Sequence, residues 1–300
     1  MSVSDRGPDA VAQVRADLVR AGYVAAPDLA TAVHLALTLP RPLLVEGPAG
    51  VGKTALAGAI SRMLGRRLVR LQCFEGLDSG QALYEWDYPR QMLALRQAEA
   101  KGAEVELFSE RFLLKRPLLD ALLAEDGPVV LLIDEIDRAD EALEALLLEL
   151  LGEGQVTIPE LGTLRAQTMP HVVVTSNRTR ELSDALRRRC LYSWIDYPTV
   201  RQETEILSHH LPQAAPQLTA QVARLMAALR QEQMEKPPGV SEALDLVAAT
   251  QGLGEDRLDP FLLGRALGTV VKSAADRERL LGDNGARLSA ALQRAEGEQG

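Results

Sequence analysis

Cysteine is scarce. Among 300 residues only Cys73 and Cys190 occur, far apart and without further cysteines at metal-ligand spacing. That excludes a disulfide framework or a zinc site and fits a reducing compartment. Positive charge is short as well: 33 Lys and Arg stand against 42 Asp and Glu, a net charge of −9. Such a field opposes general attraction to a phosphate backbone, so non-specific nucleic-acid binding is disfavoured, although a local basic patch stays possible. No apolar run of about eighteen residues goes uninterrupted by charge, and no membrane span is expected. Met1 to Val24 lacks the basic start and apolar block of a secretion signal. A cytoplasmic location is therefore expected. Internal repeats and low-complexity linkers are missing too. The four histidines, His34, His171, His209 and His210, show no metal spacing and read as packing or surface residues.

What is present is an ordinary globular balance, 46% hydrophobic and 25% charged, in a chain long enough for one large α/β unit or a core with an appendage. Apolar runs with strand character recur at Pro42–Val45, Arg67–Cys73, Val129–Ile133, His171–Thr175 and Tyr192–Tyr197, mostly separated by helical stretches. This alternation predicts a mainly parallel sheet covered by helices. After Pro198 the strand signal disappears. Val200–His210, Leu218–Leu229, Ser241–Ala249 and Phe261–Val271 read as amphipathic helices. The chain thus divides into a core over 1–198 and an all-helical domain over 199–300, with Arg294–Gly300 expected to fray.

The first apolar run is followed by Gly47-Pro48-Ala49-Gly50-Val51-Gly52-Lys53-Thr54 and then by an Ala/Leu-rich helix. This is the G-x-x-x-x-G-K-[ST] phosphate loop in its strand–loop–helix context. Its glycines let backbone N–H groups converge on phosphate oxygens, Lys53 reaches the β/γ-phosphates, and Thr54 ligates Mg²⁺. The alternative is a glycine-rich turn with a solvated lysine. The third run ends in Asp134-Glu135, the Walker B pattern, where Asp134 holds Mg²⁺ through water and Glu135 polarises the attacking water. The competing reading, acids capping the following helix, suits Asp137 or Asp140 better. The fourth run ends in Ser176-Asn177, and the Asn177 amide is placed to orient the lytic water, although Ser-Asn is also a turn signal. Leu182–Cys190 reads as a short helix ending in Arg187, Arg188 and Arg189, cations that otherwise offset a helix dipole. Cys73 reads as a core thiol. Tyr84 and Trp86 read as packing residues, with an aromatic loop facing a protein partner as the other reading.

The order of these parts resembles that of the AAA+ ATPases. Within them, LLVEGPAGVGKT, LLIDEIDRAD, GEGQVTIPELGTLRA and the long Asp78–Arg116 insertion resemble the MoxR group, while YEWDYPRQMLALR, SERFLLKRPLL, TSNRTRELSDALRRRCLYSWIDYP and KPPGVSEALDL are similar to the CoxD-like ATPases. The resemblance spans Gly22 to Lys272. It implies a P-loop fold with a five-stranded parallel sheet of order 5-1-4-3-2, a C-terminal helical lid, and commonly a hexameric ring. ATP and Mg²⁺ are the implied cofactors. Lys53 and Thr54 match Walker A, Asp134 and Glu135 Walker B, Asn177 sensor 1, and Arg189 the arginine finger offered to a neighbour's nucleotide. Residues 78–116 and the 155–165 hairpin would face the ring's working surface. One departure concerns the lid: where MoxR-type proteins often carry a sensor 2 arginine, Gly239-Val240-Ser241-Glu242 is followed by Ala243, with Lys236 or Arg265 as candidate replacements. The implied function is a chaperone-like remodelling ATPase that assists maturation of a client metalloenzyme such as a molybdenum hydroxylase, with a von Willebrand A domain protein as the implied partner. Two other classes compete. A nucleic-acid ring motor sits poorly with the acidic balance and with a hairpin whose one positive charge is Arg165. A GTPase switch or small-molecule kinase lacks, respectively, an N-K-x-D element and a need for Asn177, an arginine-ended helix and a lid together.

Overall fold

Strands covered by helices on both faces read as continuous apolar runs, and the five runs of the sequence form one parallel sheet. The computed structural model describes residues 8–39, 41–125 and 127–297. Along them run α1 (Pro8–Arg20), α2 (Pro27–Thr38), β1 (Leu43–Glu46), α3 (Lys53–Leu64), β2 (Leu68–Gln72), α4 (Ser79–Ala82), β3 (Tyr84–Trp86) and α5 (Tyr88–Lys101). Next come β4 (Leu113–Lys115), α6 (Pro117–Leu122), β5 (Val130–Asp134), α7 (Glu141–Glu153), β6 (Gln155–Ile158), β7 (Gly162–Arg165), β8 (His171–Ser176), α8 (Asp184–Arg189) and β9 (Leu191–Trp194). Five helices follow: α9 (Val200–His210), α10 (Pro216–Arg230), α11 (Val240–Gly252), α12 (Pro260–Val270) and α13 (Ala274–Gly297). The large sheet has the order β2-β5-β8-β1-β9 and is parallel throughout. Counting its strands alone in chain order gives 5-1-4-3-2, the expected arrangement of an AAA+ P-loop fold.

The chain clusters into two compact units, one of residues 8–21, 25–47 and 53–194, the other of 22–24, 48–52 and 195–297. In the first, β1, β5 and β8 are almost wholly buried. The insertion folds as a small antiparallel ladder, β3 with β4, pairing Trp86 with Leu113. It carries α5, whose start is capped by the Asp87 carboxylate accepting from Arg90 N at 3.0 Å. Trp86 packs edge-on against Tyr84 and Phe108, with centroids 6.0 and 5.2 Å apart. It is core, as the packing reading holds. The second antiparallel pair, β6 with β7, is the expected hairpin.

The second unit is all helical and closes on Leu218, Val222, Leu225, Met226 and Leu229 of α10. Thr199 starts α9 with a capping box to Gln202. A buried Arg230 reaches both Glu203 oxygens at 2.7 Å; burial pushes the Glu203 carboxyl up despite that partner. Three boundaries depart from expectation. The last strand ends at Trp194 rather than Tyr197, and the Asp196 carboxylate turns back to accept from Tyr197 N at 2.8 Å. The stretch after Val271 is a 24-residue helix, α13, seated by Leu280, Leu288, Ala291 and Leu292. It continues through Arg294 to Gly297, so the expected fraying does not begin there, and 298–300 lie outside the described residues. Among the described residues no helix is long and apolar enough to cross a membrane.

Candidate functional site

The site grows from strand ends. Where parallel strands stop at their carboxyl ends, the loops that follow gather side chains from neighbouring strands. The phosphate loop leaves β1 after the buried Glu46 and turns through Gly50 and Gly52 with φ of 79° and 92°, backbone that favours glycine. Lys53 opens α3. It is 7% exposed, its Nζ donates to Gly47 O at 2.7 Å, and burial lowers its pKa against the opposing pull of Asp137, Asp134 and Glu135. Within the second unit, loop residue Gly50 accepts from Val240 N at 2.9 Å. A Cβ on Gly239 would lie 2.6 Å from Gly50 Cα, so that approach requires a glycine.

Asp134, 2% exposed at the end of β5, is held by three donors. Thr54 Oγ1 donates at 3.0 and 3.2 Å to its two oxygens, Thr175 Oγ1 at 2.5 Å, and the Arg70 guanidinium at 2.6 Å. Glu135 next to it adopts a left-handed backbone, φ 55° and ψ 49°. That conformation is uncommon for a residue with a Cβ and marks positions held by their surroundings. Its N–H donates to Thr175 Oγ1 at 2.9 Å, while its carboxylate accepts from Gln72 Nε2 at 3.2 Å, Arg138 Nε at 3.0 Å and Asn177 Nδ2 at 3.5 Å.

Asp137 and Asp140 divide the capping work. Asp140 caps α7, accepting from Leu143 N at 2.9 Å. Asp137 instead fixes the turn after β8, accepting from Asn177 N at 3.1 Å, Thr179 N at 2.9 Å and Thr179 Oγ1 at 2.6 Å. Burial raises its carboxyl, yet those hydrogen bonds outweigh it and leave the pKa below the ordinary value. The capping reading is thus corrected for Asp137: it serves the Asn177 turn.

The structure brings Thr54, Asp134, Glu135 and Asn177 together. Arg189 lies apart from them: exposed at the end of α8, its Nη1 donates to Ala185 O at 3.4 Å. The carbonyls of Arg188, Arg189 and Cys190 accept instead from the Arg41 guanidinium, at 2.6, 3.3 and 3.5 Å. In the second unit, Lys236 N donates to Asp276 at 3.1 Å and Arg265 stands over the Phe261 ring at 5.8 Å. Sequence reasoning missed Arg70, Gln72 and Thr175. The signal lay in strand register, since Gln72 pairs with Asp134.

A hydroxyl and a buried carboxylate 3.0 Å apart beside a phosphate loop form a hard-oxygen pair. That pair fits Mg²⁺, which takes one or two carboxylates plus phosphates and water.

Residues 42–190 match the family described as AAA domain (dynein-related subfamily). The gas vesicle ATPase GvpN of Haloferax mediterranei is 27% identical over 239 residues, 76% of this chain and 66% of that protein. The chain thus spans just under two thirds of that relative. Among solved structures, the Thermotoga maritima RuvB Holliday junction branch migration motor aligns at 18% identity and TM-score 0.46, covering 87% of this chain and 69% of that one. A variant of the same motor aligns at 19% identity and TM-score 0.48, covering 80% and 66%.

Proposed function

We propose that this chain, whose residues 42–190 match the AAA domain, works as a remodelling ATPase of the MoxR type, with ATP and Mg²⁺ at the ends of β1, β5 and β8. In this reading the backbone of Gly47, Pro48, Ala49, Gly50, Val51 and Gly52 wraps the phosphates and Lys53 neutralises the β/γ oxygens. Thr54 and Asp134 hold the ion, which when bound offsets the charge developing on the transferred phosphoryl group. Glu135 draws the proton from the attacking water and Asn177 orients that water. Arg189 acts on the nucleotide of a neighbouring copy, in a ring that is hexameric by resemblance.

The observation that carries this reading is the Glu135 carboxylate. It caps no helix; Gln72, Arg138 and Asn177 hold it beside the Thr54–Asp134 pair. By resemblance the client is a metalloenzyme awaiting its cofactor, a molybdenum hydroxylase of the carbon monoxide dehydrogenase kind, with a von Willebrand A domain protein as adaptor.

Glu135→Gln keeps the shape and loses the base. ATP binding should survive and turnover should fall by about 10²-fold or more, with ATP-dependent retention of the client in a pull-down. Unchanged turnover would return Glu135 to a structural role.

A further inference from the structure

Arg70 is the charged partner of Asp134 to which the proposed hydrolysis cycle gives no work. It sits on the exposed face of β2, two residues before Gln72, and its side chain is 51% exposed whereas that of Asp134 is 2% exposed. From there the guanidinium reaches a buried carboxylate oxygen at 2.6 Å and also meets Gln72 Oε1. A carboxylate removed from water needs a counter-charge. Arg70 supplies one, at 2.6 Å.

A divalent ion held between Thr54 and Asp134 draws on that same carboxylate charge. The carboxylate oxygens already accept Thr54 at 3.0 and 3.2 Å and Thr175 at 2.5 Å; Thr54 is itself half of the metal pair and Thr175 is buried, so the donor that can move out into water is the half-exposed arginine. Withdrawing the buried Thr175 hydroxyl would strand it away from water, which costs more than releasing a guanidinium to water. Gln72 keeps the departing side chain close.

We propose that Arg70 is the resident counter-cation of Asp134 in the nucleotide-free protein, and that the divalent ion displaces it when nucleotide loads. Arg70 is thus a positioning residue that sets the magnesium concentration the site requires. The proposal rests on reading Thr54 and Asp134 as the metal pair.

The test follows binding of a fluorescent N-methylanthraniloyl ATP to the full chain as Mg²⁺ is raised from zero, with no reading of turnover. Without the competing cation, Arg70→Ala and Arg70→Gln should shift the Mg²⁺ midpoint down about threefold to tenfold, the scale of one half-exposed ion pair. Binding in EDTA should weaken, because an uncompensated Asp134 repels the phosphates. Arg70→Lys, which restores a cation, should return both values toward wild type. A midpoint that stays or rises in Arg70→Gln while its melting curve is native would overturn the proposal and leave the ion pair structural. If instead the wild-type chain binds the nucleotide with no Mg²⁺ dependence, the metal-pair reading itself fails, a result separable from any effect of Arg70.

Discussion

One hydroxyl serves both acids at the end of β5. Thr175 Oγ1 donates to Asp134 and accepts the N–H of Glu135, which ties the uncommon Glu135 backbone to the metal-side carboxylate. Thr175→Val keeps the volume and removes both bonds. It should cost about 1–3 kcal/mol of stability and lower turnover more than nucleotide affinity, because Glu135 loses its fixed origin. Thr175→Ser should recover both. Equal losses of affinity and turnover, or no recovery in the serine variant, would remove Thr175 from the positioning of Glu135. At the other end of β8, the strand that carries Thr175, His171 has its pKa lowered from 6.5, first by burial and then by Arg66. The folded chain therefore binds that proton less readily than the unfolded chain. The contribution is complete above 6.5 and is lost as pH falls from there through the lowered pKa of the folded chain. Melting temperatures taken between about pH 7 and about pH 5.5 should fall more steeply for wild type than for His171→Gln. Parallel slopes would show that His171 titrates as in the unfolded chain.

At the scale of elements, the phosphate loop is shaped by a glycine outside its motif. Gly239 ahead of α11 comes so near Gly50 that a Cβ would lie 2.6 Å from both its Cα and its carbonyl oxygen, and backbone cannot swing aside as a side-chain tip does. Gly239→Ala should destabilise by about 1–3 kcal/mol and weaken nucleotide binding. The control is Gly264→Ala in α12, where nothing lies within 4 Å; there the change should be neutral or stabilising by about 0.5–1 kcal/mol. Equal melting temperatures for the two variants would refute the crowding argument. Much of this architecture was legible beforehand. The apolar runs named all five strands of the large sheet: in β1, β5 and β8 burial on both faces leaves no room for polar alternation, while β2 and β9 at the edges alternate. The acids and Asn177 were legible because polar residues at the tip of a buried strand need a reason. α13 was not, since Gly282, Asp283, Asn284 and Gly285 interrupt it with turn residues. Arg70 escaped notice for a different reason. An arginine on the exposed face of an alternating strand reads as solvated until the β2–β5 register, which sets it opposite Leu132 and Gln72 opposite Asp134, brings its guanidinium within reach of Asp134.

At the scale of the whole molecule, Arg189 has two readings with opposite outcomes. Its exposure, and the Arg41 guanidinium on the carbonyls at the end of α8, leave its charge available to another copy of the chain. Arg189→Ala should bind ATP nearly normally and hydrolyse it about 10³-fold more slowly. Mixing it with Lys53→Ala, which keeps the finger and lacks a working nucleotide site, should raise activity above either parent. Co-assembled complexes, verified by subunit exchange, that show no rescue would exclude action in trans. The scarcity of cysteine has a further consequence. Cys73 and Cys190 are 1% and 8% exposed, and burial pushes their thiols up to about 12 and about 11. Both lie in the α/β unit. A thiolate reagent therefore meets neither until that unit opens, and the modification rate measures how often it does. Cys73 N donates to Asp134 O at 2.8 Å, so this sulfur is a stopwatch mounted beside the proposed metal site. ATP should slow it without any engineered label, while the helical unit, which carries no sulfhydryl, stays silent.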